Sequence, residues 1–179
     1  ENLQLHKFAK KKNKGRSLYA KEHNLEELLK ELKIDCLSLI FVLEHLRNPH
    51  YIFNLFKNSN LKYLYISIPL ASPLIYLEHV FPNVYPRLLG GSHTHLFSKE
   101  SISYLKKKYK FKIIGEWWFG TEFVDLYRSL LVSNKSRNKE TLKIYSKQIS
   151  EIFMKNADAL QSVFDRKKLS SGVHLVIKK

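Results

Sequence analysis

Cysteine, acidic residues and long hydrophobic runs are all scarce in this sequence. Its 179 residues include one cysteine, Cys36, so no internal disulfide can form and a reducing, cytoplasmic location is expected. No apolar run approaches the roughly 18 residues of a membrane span, and the Lys-rich start lacks the hydrophobic segment of a signal peptide. We therefore expect a soluble protein without membrane contacts, in which Cys36 is buried packing.

The shortage of acidic residues leaves a formal net charge of +15. Such an excess is typical of proteins that bind nucleic acids or anionic surfaces, because lysines contact phosphates and release counterions. The lysine clusters are nevertheless dispersed, at residues 10–12, 106–108 and 178–179. We interpret the charge as solvated surface, and nucleic-acid binding stays open as the less favoured alternative.

The length and the 44% hydrophobic content are enough for one domain with a proper core, which we assign to residues 1–179. Glu1 does not look like a natural start, since the only methionine is Met154. We therefore expect the chain to be a piece of a longer protein.

Apolar spacing predicts helices that alternate with strands, which is typical of an α/β fold. Helices are expected at residues 2–12, 24–32, 49–57, 99–109, 120–131 and 141–165. Strands are expected at residues 17–20, 34–42, 61–68, 111–118 and 173–177. Residues 69–96, which are rich in proline and aromatic side chains, are expected to form a long connection.

Residues 34–42 are almost continuously apolar, which predicts a central strand buried on both faces. Glu44 and His45 follow directly, and Asn48 and Pro49 can cap and begin the next helix. Ligands in open α/β sheets bind beyond the carboxyl ends of the strands, so Glu44 and His45 are candidates for catalysis. The alternative is that both side chains face solvent at a strand end.

A second pair of imidazoles, His93 and His95, precedes the helix that Ser98 can cap. Alternate residues of an extended chain lie on the same side, so both rings could join Glu44 and His45 around one pocket. The alternative is that they belong to a hydrogen-bonded loop without a chemical role.

Three motifs together resemble the class I S-adenosylmethionine-dependent methyltransferases. The Val42-Leu43-Glu44-His45 run within residues 34–49 is similar to the end of the family's fourth strand. Residues 91–101 are similar to its H-x-H-x-F-S-x-E-S/T motif before a helix, and residues 111–114 to its sixth-strand motif. The resemblance covers the whole chain, as the carboxyl-terminal two-thirds of such a domain.

The resemblance implies a Rossmann-like, three-layer α/β sandwich with a mostly parallel sheet and an antiparallel last strand. Residues 121–169 would be a helical insertion before that strand. The family binds its cofactor with a glycine-rich loop after the first strand, and no Gly-x-Gly run exists in this sequence. The resemblance therefore implies an N-terminally truncated fold.

The function implied by the resemblance is methyl transfer from S-adenosylmethionine to a hydroxyl or carbon of a small molecule or sugar. Glu44 and His45 would form the acid-base pair, since imidazole suits general-base work near neutral pH. The other expected catalytic residues are His93 and His95. The expected cofactor contacts are Glu1, Ile40 and Phe41.

Two rival functions remain open. Glu44, His45 and His95 also resemble the magnesium or manganese site of small-RNA 2′-O-methyltransferases, whose E-x-x-E-H motif supplies two acids. Phe41 occupies the first acid position, so we favour a site without metal. The other rival is a non-catalytic binding or assembly module that forms a homodimer through the helix at residues 141–165.

Overall fold

Helices and strands alternate in the computed structural model, which describes residues 3–12, 25–31, 33–134 and 139–179. The helices are α1 (Leu3–Lys12), α2 (Leu25–Glu31), α3 (Pro49–Asn58), α4 (Leu74–Val80), α5 (Lys99–Tyr109), α6 (Glu122–Asn134) and α7 (Lys139–Arg166). The strands are β1 (Cys36–Ile40), β2 (Tyr63–Pro69), β3 (Lys112–Phe119) and β4 (Gly172–Lys178). Glu1 and the strand predicted at residues 17–20 lie outside the described residues. No helix in these ranges is both long and apolar enough to cross a membrane.

The described strands form one sheet in the order β1-β2-β4-β3. β1 and β2 are parallel, whereas β4 lies antiparallel between β2 and β3. Three strands thus run in one direction and the last strand runs against them. This arrangement confirms the predicted mixed α/β fold with an antiparallel last strand, and the three-layer arrangement stays a prediction.

β1 corrects the prediction of a central strand. It lies at an edge of the described sheet, where Cys36, Ser38 and Ile40 are exposed and Leu37 and Leu39 are half-buried. The burial alternates because the strand register puts the odd-numbered residues on the same face as the core residues of β2. Cys36 is accordingly an exposed thiol and not buried packing.

The main core lies between one face of the sheet and helices α3 and α5. Phe53 and Phe56 of α3 are 1% and 0% exposed, and their rings lie 6.1 and 5.3 Å from the ring of Phe111. Leu64 and Leu175 supply buried apolar surface from the sheet. Each such side chain stabilises the fold by about 1.5–3 kcal/mol when it is withdrawn from water.

Local capping determines where α5 begins. Ser98 Oγ accepts a hydrogen bond from the backbone N–H of Ser101 at 3.2 Å, and Ser101 Oγ accepts one from the N–H of Ser98 at 2.8 Å. The predicted Ser98 cap is therefore confirmed as a reciprocal capping box. Asn48 precedes α3 as predicted, although its side chain makes no capping hydrogen bond.

Helix α4 lies inside the region that we predicted to be a long connection. Pro73 precedes its first residue with φ −53°, a value that a helix tolerates at its start. Ser72 Oγ accepts a hydrogen bond from the Leu74 N–H at 3.1 Å. Pro73 therefore marks the beginning of a helix inside this proline-rich segment.

Helices α6 and α7 occupy the place predicted for a helical insertion. Phe123 and Tyr127 of α6 pack on Phe164 and Phe153 of α7, with ring centroids 5.3 and 5.4 Å apart. Other apolar residues of α7 are exposed, namely Ile149, Ile152, Leu160 and Val163. Homodimer formation through this helix and the division into domains stay predictions.

Candidate active site

The chain changes direction directly after β1. The Phe41 N–H still donates to the Ser67 carbonyl at 2.9 Å, but Phe41 itself adopts a left-handed backbone conformation with φ 52°. Leu43–His45 then form one turn of 3₁₀ helix. A bulky residue rarely adopts positive φ, so the backbone is strained where the chain leaves the sheet. This turn places Glu44 and His45 beyond the carboxyl end of the strand.

Glu44 has the most unusual environment of the described residues. Its side chain is 1% exposed, and neither carboxylate oxygen receives a hydrogen bond within the described part of the chain. The Nε2 atom of His45 lies 3.8 Å from Oε1. A buried carboxylate without hydrogen bonds lowers the stability of the fold. A ligand that donates a hydrogen bond to it, or that carries a positive charge, would offset this loss.

His45 is held through its other ring nitrogen. Its Nδ1 lies 3.2 Å from the carbonyl of Ser92 and 3.0 Å from the Ser92 hydroxyl. Since a carbonyl can only accept, Nδ1 carries the hydrogen when it pairs with that oxygen. Nε2 then has a lone pair and can take up a proton beside the Glu44 carboxylate.

His93 joins this pair, and His95 does not. The ring centroids of His45 and His93 are 4.9 Å apart, and Nδ1 of His93 lies 3.2 Å from the Leu88 carbonyl. His95 instead has its Nδ1 2.9 Å from Thr94 Oγ1 and its ring stacked on Phe97. The segment is not a regular strand, so alternate residues need not share a side.

The position of residues 93–95 is fixed by the main chain of Glu44. Its carbonyl accepts hydrogen bonds from the backbone N–H groups of Thr94 and His95, at 2.8 and 3.2 Å, and from the Thr94 hydroxyl at 3.0 Å. His95 lies near His50, whose pKa is lowered by burial and then by the charges of Lys108 and His95. The two histidines of the H-x-H motif, His93 and His95, therefore lie in different environments.

The side chains of Glu44, His45 and His93 line one cleft of about 350 Å³. The other walls come from the ends of β1 and β3, the loop before α5 and the start of α6, and include Phe41, Arg87, Leu88, Phe119 and Thr121. This volume lies within the range of about 300–1,000 Å³ that is usual for small-molecule sites. Trp117 and Trp118, which follow each other on β3, do not line it.

Arg87 and Asp125 form a part of the site that the sequence did not reveal. Asp125 is 0% exposed, and its Oδ1 lies 3.3 Å from Nε of Arg87 and 3.2 Å from Nε of Arg128. Thr121 donates its hydroxyl to Asp125 Oδ2 at 2.6 Å. The Asp-x-x-Arg spacing on a predicted helix was the available signal, but nothing in the sequence marked Arg87 as its second partner.

The loop that carries Arg87 is attached to α4 through Glu78. One carboxylate oxygen of Glu78 accepts the backbone N–H groups of Arg87 and Leu88, at 2.6 and 2.7 Å. The other oxygen accepts the N–H of Leu89 at 2.9 Å. Helix α4 therefore positions one wall of the cleft.

Comparison with solved structures assigns the fold. The structure matches a S-adenosylmethionine-dependent methyltransferase from Archaeoglobus fulgidus with a TM-score of 0.51 and 16% identity, over 99% of this chain and 73% of that chain. The chain shares the fold of these methyltransferases. At this identity the likeness shows the fold alone.

Two further solved structures are similar at lower scores. One is a protein from Galdieria sulphuraria assigned as a sarcosine dimethylglycine methyltransferase (TM-score 0.47, 9% identity, 97% of this chain and 64% of that chain). The other is the [4+2]-cyclase SpnF (TM-score 0.47, 10% identity, 97% of this chain and 61% of that chain). The sequence matches no family model and no curated protein.

Proposed function

We propose that the protein transfers a methyl group from S-adenosylmethionine to a hydroxyl or carbon of a small molecule or sugar held in the cleft. The observation that carries the proposal is the buried carboxylate of Glu44, which receives no hydrogen bond from the described residues and lies beside His45, on a fold shared with a methyltransferase. Catalytic sites are where burial and paired titratable groups are usually combined at some loss of stability.

The cofactor, when bound, supplies an electrophilic methyl group on a positively charged sulfur. Nε2 of His45 would accept the proton that the acceptor hydroxyl loses as its oxygen takes the methyl carbon from the cofactor's sulfur, which leaves as a neutral thioether. The Ser92 carbonyl keeps the opposite nitrogen protonated, and the Glu44 carboxylate stabilises the resulting imidazolium at 3.8 Å. His93, whose ring lies against His45, orients it within the cleft.

Two of the three residues predicted to contact the cofactor lie at the carboxyl end of β1. Ile40 and Phe41 are 54% and 47% exposed, and Phe41 lines the cleft. These apolar side chains would suit the faces of an adenine ring, and Phe41 would help to exclude water from the methyl group of the sulfonium. Glu1, the third, lies outside the described residues.

A radiolabel assay tests the proposal. The natural protein that carries this sequence is incubated with methyl-labelled S-adenosylmethionine and a panel of hydroxylated small molecules and sugars. We expect label in at least one acceptor, its loss in His45→Ala and a smaller reduction in Glu44→Gln, in which the imidazole survives. Label in no acceptor, together with no cofactor binding by calorimetry, would contradict methyl transfer.

A metal-dependent RNA 2′-O-methyltransferase is the second candidate, and one observation favours it. One ligand atom each of Glu44, His45 and His93 lies within 4.8 Å of the others, close enough for rearrangement around a divalent cation. The discriminating experiment is turnover with and without a chelator. We expect resistance to the chelator, whereas loss restored by Mn²⁺ would favour the second candidate, because a metal-bound nitrogen cannot accept the acceptor's proton.

A further inference from the structure

We infer that the cleft selects an acceptor that carries a carboxylate or a phosphate, and that Arg87 is the residue that binds this group. The inference rests on the proposed function, because the bound molecule is an acceptor only if the protein transfers methyl groups. Binding of the anion can nevertheless be measured without any methyl transfer.

Arg87 is held in place from three directions. Its backbone N–H donates to Glu78, its Nε lies 3.3 Å from the buried Asp125 carboxylate, and its Nη1 donates to Thr121 Oγ1 at 3.4 Å. The described residues accept no other hydrogen bond from this guanidinium, which has five N–H groups. The side chain is 47% exposed and lines the cleft. A fixed guanidinium with N–H groups left over is preorganised for an anion.

The charges around Asp125 do not balance. This carboxylate faces two guanidinium groups, since Arg128 Nε lies 3.2 Å from the oxygen that Arg87 approaches. Arg128 directs its Nη2 to the Tyr85 carbonyl at 3.1 Å and does not line the cleft. Of the two guanidinium groups beside Asp125, that of Arg87 is therefore the one that faces the cleft.

The cleft thus has two chemically different groups of polar residues. Glu44, His45 and His93 provide the carboxylate and imidazoles that suit a hydroxyl, whereas Arg87 provides a cation. Leu88 and Phe119 supply apolar surface from the same walls. A small hydroxylated carboxylic acid or phosphate ester has the matching distribution of groups, and a guanidinium binds both kinds of anion through paired hydrogen bonds.

A matched pair of ligands measures how much the anionic group contributes to binding. Binding of 4-hydroxybenzoate and of its neutral counterpart 4-hydroxybenzamide is measured by calorimetry at about 0.15 M salt, where long-range attraction by the net charge is screened. We expect the acid to bind about 10- to 100-fold more tightly than the amide. Phenyl phosphate, compared with phenol, shows whether phosphate is preferred to carboxylate.

Two variants that each remove one positive charge distinguish the effect of the Arg87 side chain on anion binding from the effect of the net charge. Arg87→Gln should abolish the preference for the acid, and Arg166→Gln, on the exposed end of α7, should retain it. If thermal melting shows that Arg87→Gln does not fold, Arg87→Lys decides, because its ammonium keeps the charge but not the paired N–H groups. A preference unchanged in the variant that folds overturns the inference, as does equal or absent binding of acid and amide by the wild type.

The label-transfer assay shows whether the anion preference or the proposed methyl transfer has failed. Selective anion binding without label transfer upholds the role of Arg87 and counts against the proposed function. Label transfer to neutral and acidic acceptors at equal rates upholds the proposed function and overturns the anion preference.

Discussion

The carboxylate of Glu44 lies 3.8 Å from Nε2 of His45 and receives no hydrogen bond from the described residues. Two different nitrogens of His45 are therefore used: Nδ1 is fixed by Ser92, and Nε2 faces the acid. Nε2 is therefore the nitrogen left for proton transfer in the proposed mechanism, beside the carboxyl group of Glu44.

His45→Ala should lower methyl-transfer turnover by about 10²- to 10⁴-fold, because the proton then has no acceptor at Nε2. Cofactor affinity should change little, since His45 is expected to contact the acceptor. His95→Ala is the matched control: it removes an imidazole two residues beyond His93 but outside the cleft, and it should keep most of the activity. Turnover and cofactor binding are measured separately, and equal losses in both variants would contradict the assignment.

Features set by neighbouring residues could be predicted from the sequence. The cap at Ser98 depends on a few adjacent residues, and the bounds of α5 agree with the prediction. The order of helices and strands follows likewise from apolar spacing. The prolines of residues 69–96 misled the prediction, because Pro73 can start a helix as well as interrupt one.

Features set by distant residues could not be predicted. The exposure of Cys36 depends on which elements cover the sheet, which its own apolar surroundings do not show. The pairing of Arg87 with Asp125 joins residues 38 positions apart in sequence without any motif. His93 and His95 share a motif, but separate contacts decide that His93 lines the cleft and His95 does not.

Replacement of Glu44 by methionine should raise thermal stability. The change removes a buried carboxyl group that receives no hydrogen bond from the described residues and keeps an unbranched side chain of similar size, so we expect a gain of about 1–3 kcal/mol in the free energy of unfolding. Methyl transfer should be lost in the same variant. Calorimetric melting measures the first effect and label transfer the second.

Glu78→Met provides the control with the opposite sign. Its carboxylate accepts three backbone N–H groups, so we expect a loss of about 1–3 kcal/mol. If Glu44→Met destabilises the protein as much as Glu78→Met does, the Glu44 carboxylate has a structural partner and our account of it is wrong.

Lys110→Gly should stabilise the end of α5. Lys110 has φ 58°, a left-handed conformation that costs a residue with a side chain about 1–2 kcal/mol relative to glycine. Lys106→Gly, inside the same helix, should instead lower stability by about 0.5–1 kcal/mol. Chemical denaturation of both variants gives the comparison, and stabilisation of neither would show that Lys110 is held by contacts we have not recognised.

His174 should make stability depend on pH. Burial lowers the pKa of this imidazole, whose Nδ1 lies 2.8 Å from the Tyr65 hydroxyl and whose ring stacks on Phe119 at 4.5 Å. Between its lowered folded pKa and the usual value of about 6.5, the unfolded chain binds more protons than the folded one. The contribution is therefore fully present above about pH 6.5 and is lost as the pH falls through the folded pKa.

His174→Phe keeps the ring stack and removes the titrating group, so it should flatten the fall in unfolding free energy between about pH 7.5 and pH 5. Part of the fall should remain, because the pKa of His50 is lowered as well. His79→Phe, on the exposed end of α4, should leave the wild-type dependence unchanged. Denaturant unfolding at several pH values measures all three proteins. A slope in His174→Phe equal to that of the wild type would show that His174 is protonated as readily in the folded state as in the unfolded one.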